Sequence, residues 1–242
     1  MSNTSPTRSV CGRPRVSEDS LLPPDGFRQR GPKPSGTRLL LIRHGESGAN
    51  ALGLAGGPLG DGGLTDLGKA QAHALKERLL MSKELSSAGA FYSSTLPRAI
   101  ETAQIISSAL PETLQHIQQE NLCELSVGEG DGLTWAQFTE KYGTVDWDND
   151  PHASCAPGGE SLMSFFNRAK NAIEELVERH PGELVVVVCH GGFIEQALKI
   201  CYGKDGSERL RPRTENCSMT EIEFRDGWKR LLRYNDLAPL AR

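Results

Sequence analysis

The stretch "RLLLIRHGESGAN", residues 38 to 50, decides how this chain is read. Leu39 to Ile42 is an unbroken apolar run that stops at Arg43-His44-Gly45-Glu46. Consecutive apolar residues fit a short strand buried on both faces, because alternate side chains of a strand point to opposite sides. A second stretch of the same shape lies far along the chain. Residues 184 to 193 read "LVVVVCHGGF", an apolar run that ends at Cys189-His190-Gly191-Gly192. Burying charge without a partner is costly, so Arg-His at a strand end calls for something to pair with. In open α/β sheets, ligands sit outside the carboxyl ends of the strands. Both His-Gly pairs fall at such ends, and the fold can bring His44 and His190 together.

The chain between them alternates. Thr65 is expected to cap a helix with apolar spacing at Leu67, Ala70, Ala74 and Leu75. Ala90–Tyr92 reads as a short strand, and Thr95 as the cap of a helix with Pro97 in its first turn. That helix carries a stripe of Ala99, Thr102, Ala103 and Ile106. Residues 113 to 117 read as a further strand, and Thr134 with Gln137 as a capping box. Residues 161 to 179 are amphipathic, with Leu162, Phe165, Ala169, Ile173 and Leu176 on one side. A helix follows from about Gly192, and Asp226-Gly227 reads as a hairpin turn. Strands alternating with helices imply an α/β class: a three-layer α/β/α sandwich with a mostly parallel central sheet.

Composition narrows the function. Residues 1–36 hold six Pro, four Gly and six Ser, and are expected to be a disordered leader ahead of one domain, residues 37–242. The leader carries six Lys/Arg against three Asp/Glu. By subtraction, the domain has 21 basic and 28 acidic groups, a net of −7. Such a domain is a poor nucleic-acid binder, and an anionic ligand must be met by a local cluster of donors. No apolar run reaches the ~18 residues that span a membrane. Six cysteines without a C-x-x-C fit free thiols in a reducing cytoplasm. Organellar targeting by the leader is the weaker reading.

Taken together, the motifs resemble the histidine phosphatase superfamily, in the branch related to phosphoglycerate mutase. "RHGESGAN" matches Arg-His-Gly-Glu-[Ser/Thr]-x-x-Asn, and "DGGLTDLGKAQA" from Asp61 matches Asp-x-x-Leu-Thr-x-x-Gly-x-x-Gln-Ala. "SSTLPRAIETA" from Ser93, "LCELSVGEGDG" from Leu122, "PGGES" at 157 to 161 and "CHGGF" at 189 to 193 follow in order. The resemblance implies a phosphoglycerate mutase-like fold. It also implies catalytic roles for His44, Glu124 and His190, and phosphate or substrate binding by Arg43, Ser47, Asn50 and Arg98.

The chemistry agrees with those roles. A neutral imidazole is nucleophilic near neutral pH, so His44 would form a phosphohistidine. In the family its other ring nitrogen donates to a nearby backbone carbonyl. Arg43 and Arg98 are always-charged forks for phosphoryl oxygens, and His190 and Asn50 would add donors. Glu124 would protonate the departing oxygen and then deprotonate water. Glu46 and Glu160 read as structural partners, and His73, His116, His152 and His180 as surface or helix residues.

The implied activity is a phosphomonoester hydrolase that needs no metal or cofactor and acts on a small phosphorylated metabolite. A 2,3-bisphosphoglycerate-dependent phosphoglycerate mutase is the alternative. Against it, Ala49 stands where mutases commonly carry Trp, and "CELSVGEGDGLTW" is shorter than the mutase segment. An inactive phospho-ligand-binding module is a third reading, although a pure binder has no use for an acid. Cys189 is not a cysteine-phosphatase nucleophile, because Glu195 stands where that loop needs Arg. "GGPLGDGG" lacks the Gly-Lys-[Ser/Thr] of a P-loop. The hairpin at Asp226-Gly227 is open to two readings, a sheet edge or the contact of a homodimer.

Overall fold

Strands β1 (Thr37–Arg43) and β4 (Leu184–Cys189) lie side by side and parallel in a six-stranded sheet of order β3-β2-β4-β1-β5-β6. They belong to a computed structural model that describes residues 36–237. The leader expected over residues 1–36 lies outside the described residues except for Gly36. Strands β2 (Ala88–Ser93) and β3 (His116–Gln118) extend the parallel part. Strands β5 (Met219–Arg225) and β6 (Trp228–Asp236) add an antiparallel hairpin, turned at Asp226-Gly227 with Gly227 at φ 81°.

Burial on both faces explains why the two opening runs are continuous rather than alternating. Leu39, Leu41, Val185 and Val187 pack with Phe165 and Phe193 on one side. Leu40, Ile42, Val186 and Val188 pack with Leu75 and Ile106 on the other. Helices α5 (Leu162–Arg179) and α6 (Gly191–Cys201) cover the first face. Helices α2 (Asp66–Ser82) and α3 (Pro97–Ile106) cover the second. The result is the expected three-layer sandwich. Two short helices, α1 (Gly48–Leu52) and α4 (Trp135–Tyr142), belong to the segments between the main elements. The capping box of α4 and the apolar stripe of α5 stand as the spacing indicated.

Three local expectations are corrected. The buried stripe of α2 is Gly68, Ala72, Leu75 and Leu79, while Leu67 and Ala70 are exposed. The stripe is built around a glycine, so a pattern of large apolar residues misses its start. The N-cap of α3 is Leu96, not Thr95, and its side chain makes no cap bond. The carboxylate of Asp61, from a distant loop, accepts the Arg98 backbone N–H in that first turn at 3.3 Å. The third parallel strand runs from His116 to Gln118 rather than from 113 to 117. It is a half-exposed edge strand, and a turn closed by Leu114 N–H on the Pro111 carbonyl precedes it.

Gly68 fixes how the end of β1 meets α2. A Cβ on Gly68 would lie 2.0 Å from the Glu46 carbonyl oxygen, and one on Gly45 would lie 2.5 Å from the Gly68 carbonyl oxygen. Both obstacles are backbone atoms, which cannot swing away. Gly62 has nothing near its Cβ position. Gly68→Ala should therefore cost about 1–3 kcal/mol of stability in urea unfolding, whereas Gly62→Ala should change it by less than about 0.5 kcal/mol. Equal effects of the two would contradict this account of the contact.

Candidate active site

The parallel pairing of β1 and β4 sets Arg43 opposite Cys189. The ladder continues one residue further, with the His44 N–H donating to the Cys189 carbonyl at 3.0 Å. His44 and His190 therefore leave the sheet side by side, their ring centroids 5.1 Å apart. Both are buried. The Nδ1 of His44 donates to the Gly45 carbonyl at 2.6 Å, since a carbonyl can only accept. This places the proton on Nδ1 and leaves the lone pair on Nε2.

Arg98, from the first turn of α3, reaches between the two rings. Its Nε donates to His44 Nε2 at 3.2 Å and to His190 Nδ1 at 3.3 Å. The other nitrogen of His190 is 2.6 Å from Ser94 Oγ. With Nδ1 accepting, Nε2 carries the proton and donates to Ser94. Burial lowers the pKa of both histidines well below 6.5, and the charges of Arg98 and Arg43 push in the same direction. Both rings are thus neutral at pH 7.

Arg98 is itself held by Asp61. Its Nη1 donates to Asp61 Oδ2 at 2.9 Å, and its Nη2 to the Gly56 carbonyl at 3.1 Å. The side chains are 4% and 0% exposed, so neither charge is hydrated and each depends on the other. Arg43 is anchored through Nη1 to the Thr214 carbonyl. Its Nε is buried with no hydrogen-bond partner in the protein. Asn50 lines the same cavity, with its Oδ1 accepting from the Ser47 N–H at 3.3 Å.

Glu124 faces this cluster from the loop after β3. Its two oxygens accept from the Leu125 and Gly192 N–H groups, both at 2.9 Å. A Cβ on Gly192 would sit 2.1 Å from Glu124 Oε1, so a side chain there would push the carboxylate from this position. Arg168 pins the segment from behind, donating to the carbonyls of Asn121, Cys123 and Glu124 while paired with Glu160. Arg43, His44, Asn50, Arg98 and Glu124 all line one cavity of about 430 Å³. His190 does not line it; it meets the cluster through Arg98, whose Nε donates to its Nδ1. Ser47 does not line it. Its fully buried side chain caps α1 and accepts from the Asn50 N–H at 3.2 Å.

Sequence reasoning passed over Asp61, Ser94 and Arg168. Asp61 opens one quoted motif and Ser94 stands in another, but their partners lie 37 and 96 residues away. Glu46 accepts from Thr65 and Glu160 pairs with Arg168, as structural partners. His73 and His152 are exposed, whereas His116 bonds Ser93 and His180 bonds Tyr92. Burial pushes the Cys189 thiol up, so it is not a thiolate. Among the described residues, no three His, Cys, Asp or Glu side chains gather as a metal site. Nor is any helix there long and apolar enough to cross a membrane.

Residues 39–237 match the histidine phosphatase superfamily, branch 1. The chain belongs to that superfamily. It is 33% identical over 200 residues to phosphoserine phosphatase 1 of Hydrogenobacter thermophilus, covering 82% of this chain and 92% of that one. It is 33% identical over 196 residues to a metal-independent phosphoserine phosphatase of Arabidopsis thaliana, covering 78% and 77%. A mycobacterial glucosyl-3-phosphoglycerate phosphatase solved with VO3 is similar in fold, with a TM-score of 0.70. That chain is 27% identical, and the match covers 82% of this chain and 98% of the other. The protein is a histidine phosphatase, a phosphoric monoester hydrolase.

Two outcomes follow for this histidine phosphatase. Asp61→Ala leaves the buried Arg98 charge unpaired, which should cost about 3–5 kcal/mol of stability. The same variant should lower kcat/KM about 10²-fold or more through the loosened guanidinium. A variant as stable as the parent in urea would refute the dependence. The second outcome concerns acid. The folded pKa values of His44 and His190 lie below 6.5, so unfolding takes up protons below that pH. Their stabilisation is complete above pH 6.5 and is lost as pH falls toward the folded values. Stability should decline by about 1.4 kcal/mol per pH unit for each histidine well below 6.5. His44→Asn should remove roughly half of that slope. An unchanged slope would assign it to other groups.

Proposed function

We propose that the protein hydrolyses a small phosphorylated metabolite through a phosphohistidine on His44, without a metal. One observation carries this reading: the Nε2 lone pair of His44 is fixed beside the Arg98 Nε–H in a cavity that Arg43 and Glu124 also line. The Arg98 N–H now on that lone pair can pass to a phosphoryl oxygen when the ester arrives. The unpartnered Arg43 N–H serves a second oxygen, and Asn50 a third. Nε2 then attacks phosphorus. The P–O bond to the alcohol breaks, and the protonated carboxyl of Glu124 gives its proton to the departing oxygen. The resulting carboxylate takes a proton from water, and the hydroxide displaces His44 to release phosphate. His190 stays neutral and donates to the phosphoryl group from Nδ1 in its other tautomer, in which Nε2 releases its proton and accepts from the Ser94 hydroxyl. Ser47 contributes by holding α1, and through it Asn50. The five described cysteines are free thiols, which suits a reducing cytoplasm.

Relatives named as phosphoserine phosphatases put phosphoserine first among the esters to test. Phosphate release from phosphoserine, p-nitrophenyl phosphate, sugar phosphates and 3-phosphoglycerate should persist in EDTA. His44→Ala should lower kcat at least about 10³-fold, and Arg43→Ala about 10²–10³-fold. Acid-labile, base-stable phosphoenzyme should appear on quenching. An acid-stable phosphoenzyme excludes His44 as nucleophile. Isomerisation of 3-phosphoglycerate that needs 2,3-bisphosphoglycerate would favour the mutase instead, and no turnover would leave only a binding module.

A further inference from the structure

The cavity is lined by more than the phosphoryl cluster, and the rest of its lining has a different chemistry. Its volume is about 430 Å³, and Leu125, Val127, Trp135, Trp147, Leu162 and Phe165 supply much of its wall. The Trp147 N–H is committed to the Ala153 carbonyl at 2.8 Å, so that indole does not offer its donor to a ligand. Arg209 stacks over the same ring at 5.7 Å. A cavity of this size and lining suits a ring-sized apolar group.

Within this wall stands Gln196 of α6, only 2% exposed. Its Nε2 donates to the Gly192 carbonyl at 3.2 Å. A carbonyl only accepts, so this bond decides which end of the amide is NH2 and which is oxygen. The oxygen, Oε1, is buried with no hydrogen-bond partner in the protein. The neighbouring Glu195 also lines the cavity, but its Oε1 already faces the Leu210 N–H at 3.3 Å and Lys199 at 3.5 Å. The lining therefore combines unlike groups: donors from Arg43, Arg98 and Asn50, and on α6 a Gln196 whose amide oxygen is unanswered.

We propose that Gln196 selects the leaving group, and that the preferred ester has an apolar, ring-sized alcohol carrying a hydroxyl or amine hydrogen directed at Gln196 Oε1. This inference rests on the phosphatase reading above. An alcohol that supplies a donor satisfies this buried acceptor, whereas one without a donor leaves it unsatisfied. Sites built around such a bond discriminate strongly against analogues that lack it.

The test compares kcat/KM for phenyl phosphate, its three monohydroxy isomers and their methoxy counterparts. The hydroxy and methoxy partners are alike in shape and close in leaving-group acidity, and differ in the donor. At least one hydroxy isomer should exceed its methoxy partner by roughly tenfold or more. Gln196→Met should bring that ratio to within about threefold. The wild-type comparison stands without the variant, should the variant fail to fold. Equal treatment of every pair by the wild type overturns the proposal, as does a preference that survives Gln196→Met. Turnover of phosphoserine with none of any phenyl ester overturns it while the phosphatase reading stands. No turnover of any monoester overturns both.

Discussion

The site depends on one pairing, the parallel ladder between β1 and β4. Six consecutive residues of β1 face six of β4, from Arg38 opposite Leu184 to Arg43 opposite Cys189. Neither strand carries a signal for the other except its apolar run. Burial on both faces fixes the register, because a slip of one residue would swap the two packed faces of a strand. With that register set, two backbones separated by 146 residues end at the same level. Each then delivers an imidazole to the same point.

An acidic domain can hold this site because its cations are local and fully paired or waiting. Asp61 neutralises Arg98 from one side and caps α3, so the guanidinium enters the site with its direction already set. Glu124 and Glu215 lie near enough to Arg43 to oppose the effect of its burial. Burial first, and the arginines with it, keep both imidazoles neutral, which is the protonation state a nitrogen nucleophile needs. Burial that would be a liability for a lone charge here sets the chemistry, since Arg98 is paired with Asp61 and Arg43 is held by the Thr214 carbonyl.

The repeated His-Gly turns out to have two physical causes. Gly45 is small because the backbone of α2 presses on it at Gly68. The crowded glycine of the second stretch is Gly192, where the carboxylate of Glu124 occupies the space of a side chain. Gly191 has only the side chain of Arg43 nearby, at 3.7 Å from its Cβ position. Similar letters at two strand ends therefore serve helix packing in one case and placement of the acid in the other.

By itself the sequence determined the layers and most of the cluster. Apolar runs without alternation require strands covered twice, the 3.6-residue stripes of α3 and α5 require helices, and the strand-end motifs carry His44, His190, Arg43 and Arg98. The strands and helices are local features that spacing reveals, while the roles within the cluster, that of Arg98 above all, came from the resemblance of the ordered motifs to a known family. Only the tertiary structure decided the rest. It put the N-cap of α3 at Leu96 instead of Thr95, with Asp61 accepting from its first turn, and turned Ser47 from the cavity to the end of α1. It put Ser94 behind His190, braced the acid loop with Arg168, and left Gln196 Oε1 without a partner. Those outcomes rest on hydrogen bonds and packing between residues far apart in the chain, and a linear pattern holds no record of which distant group will meet a buried donor or acceptor.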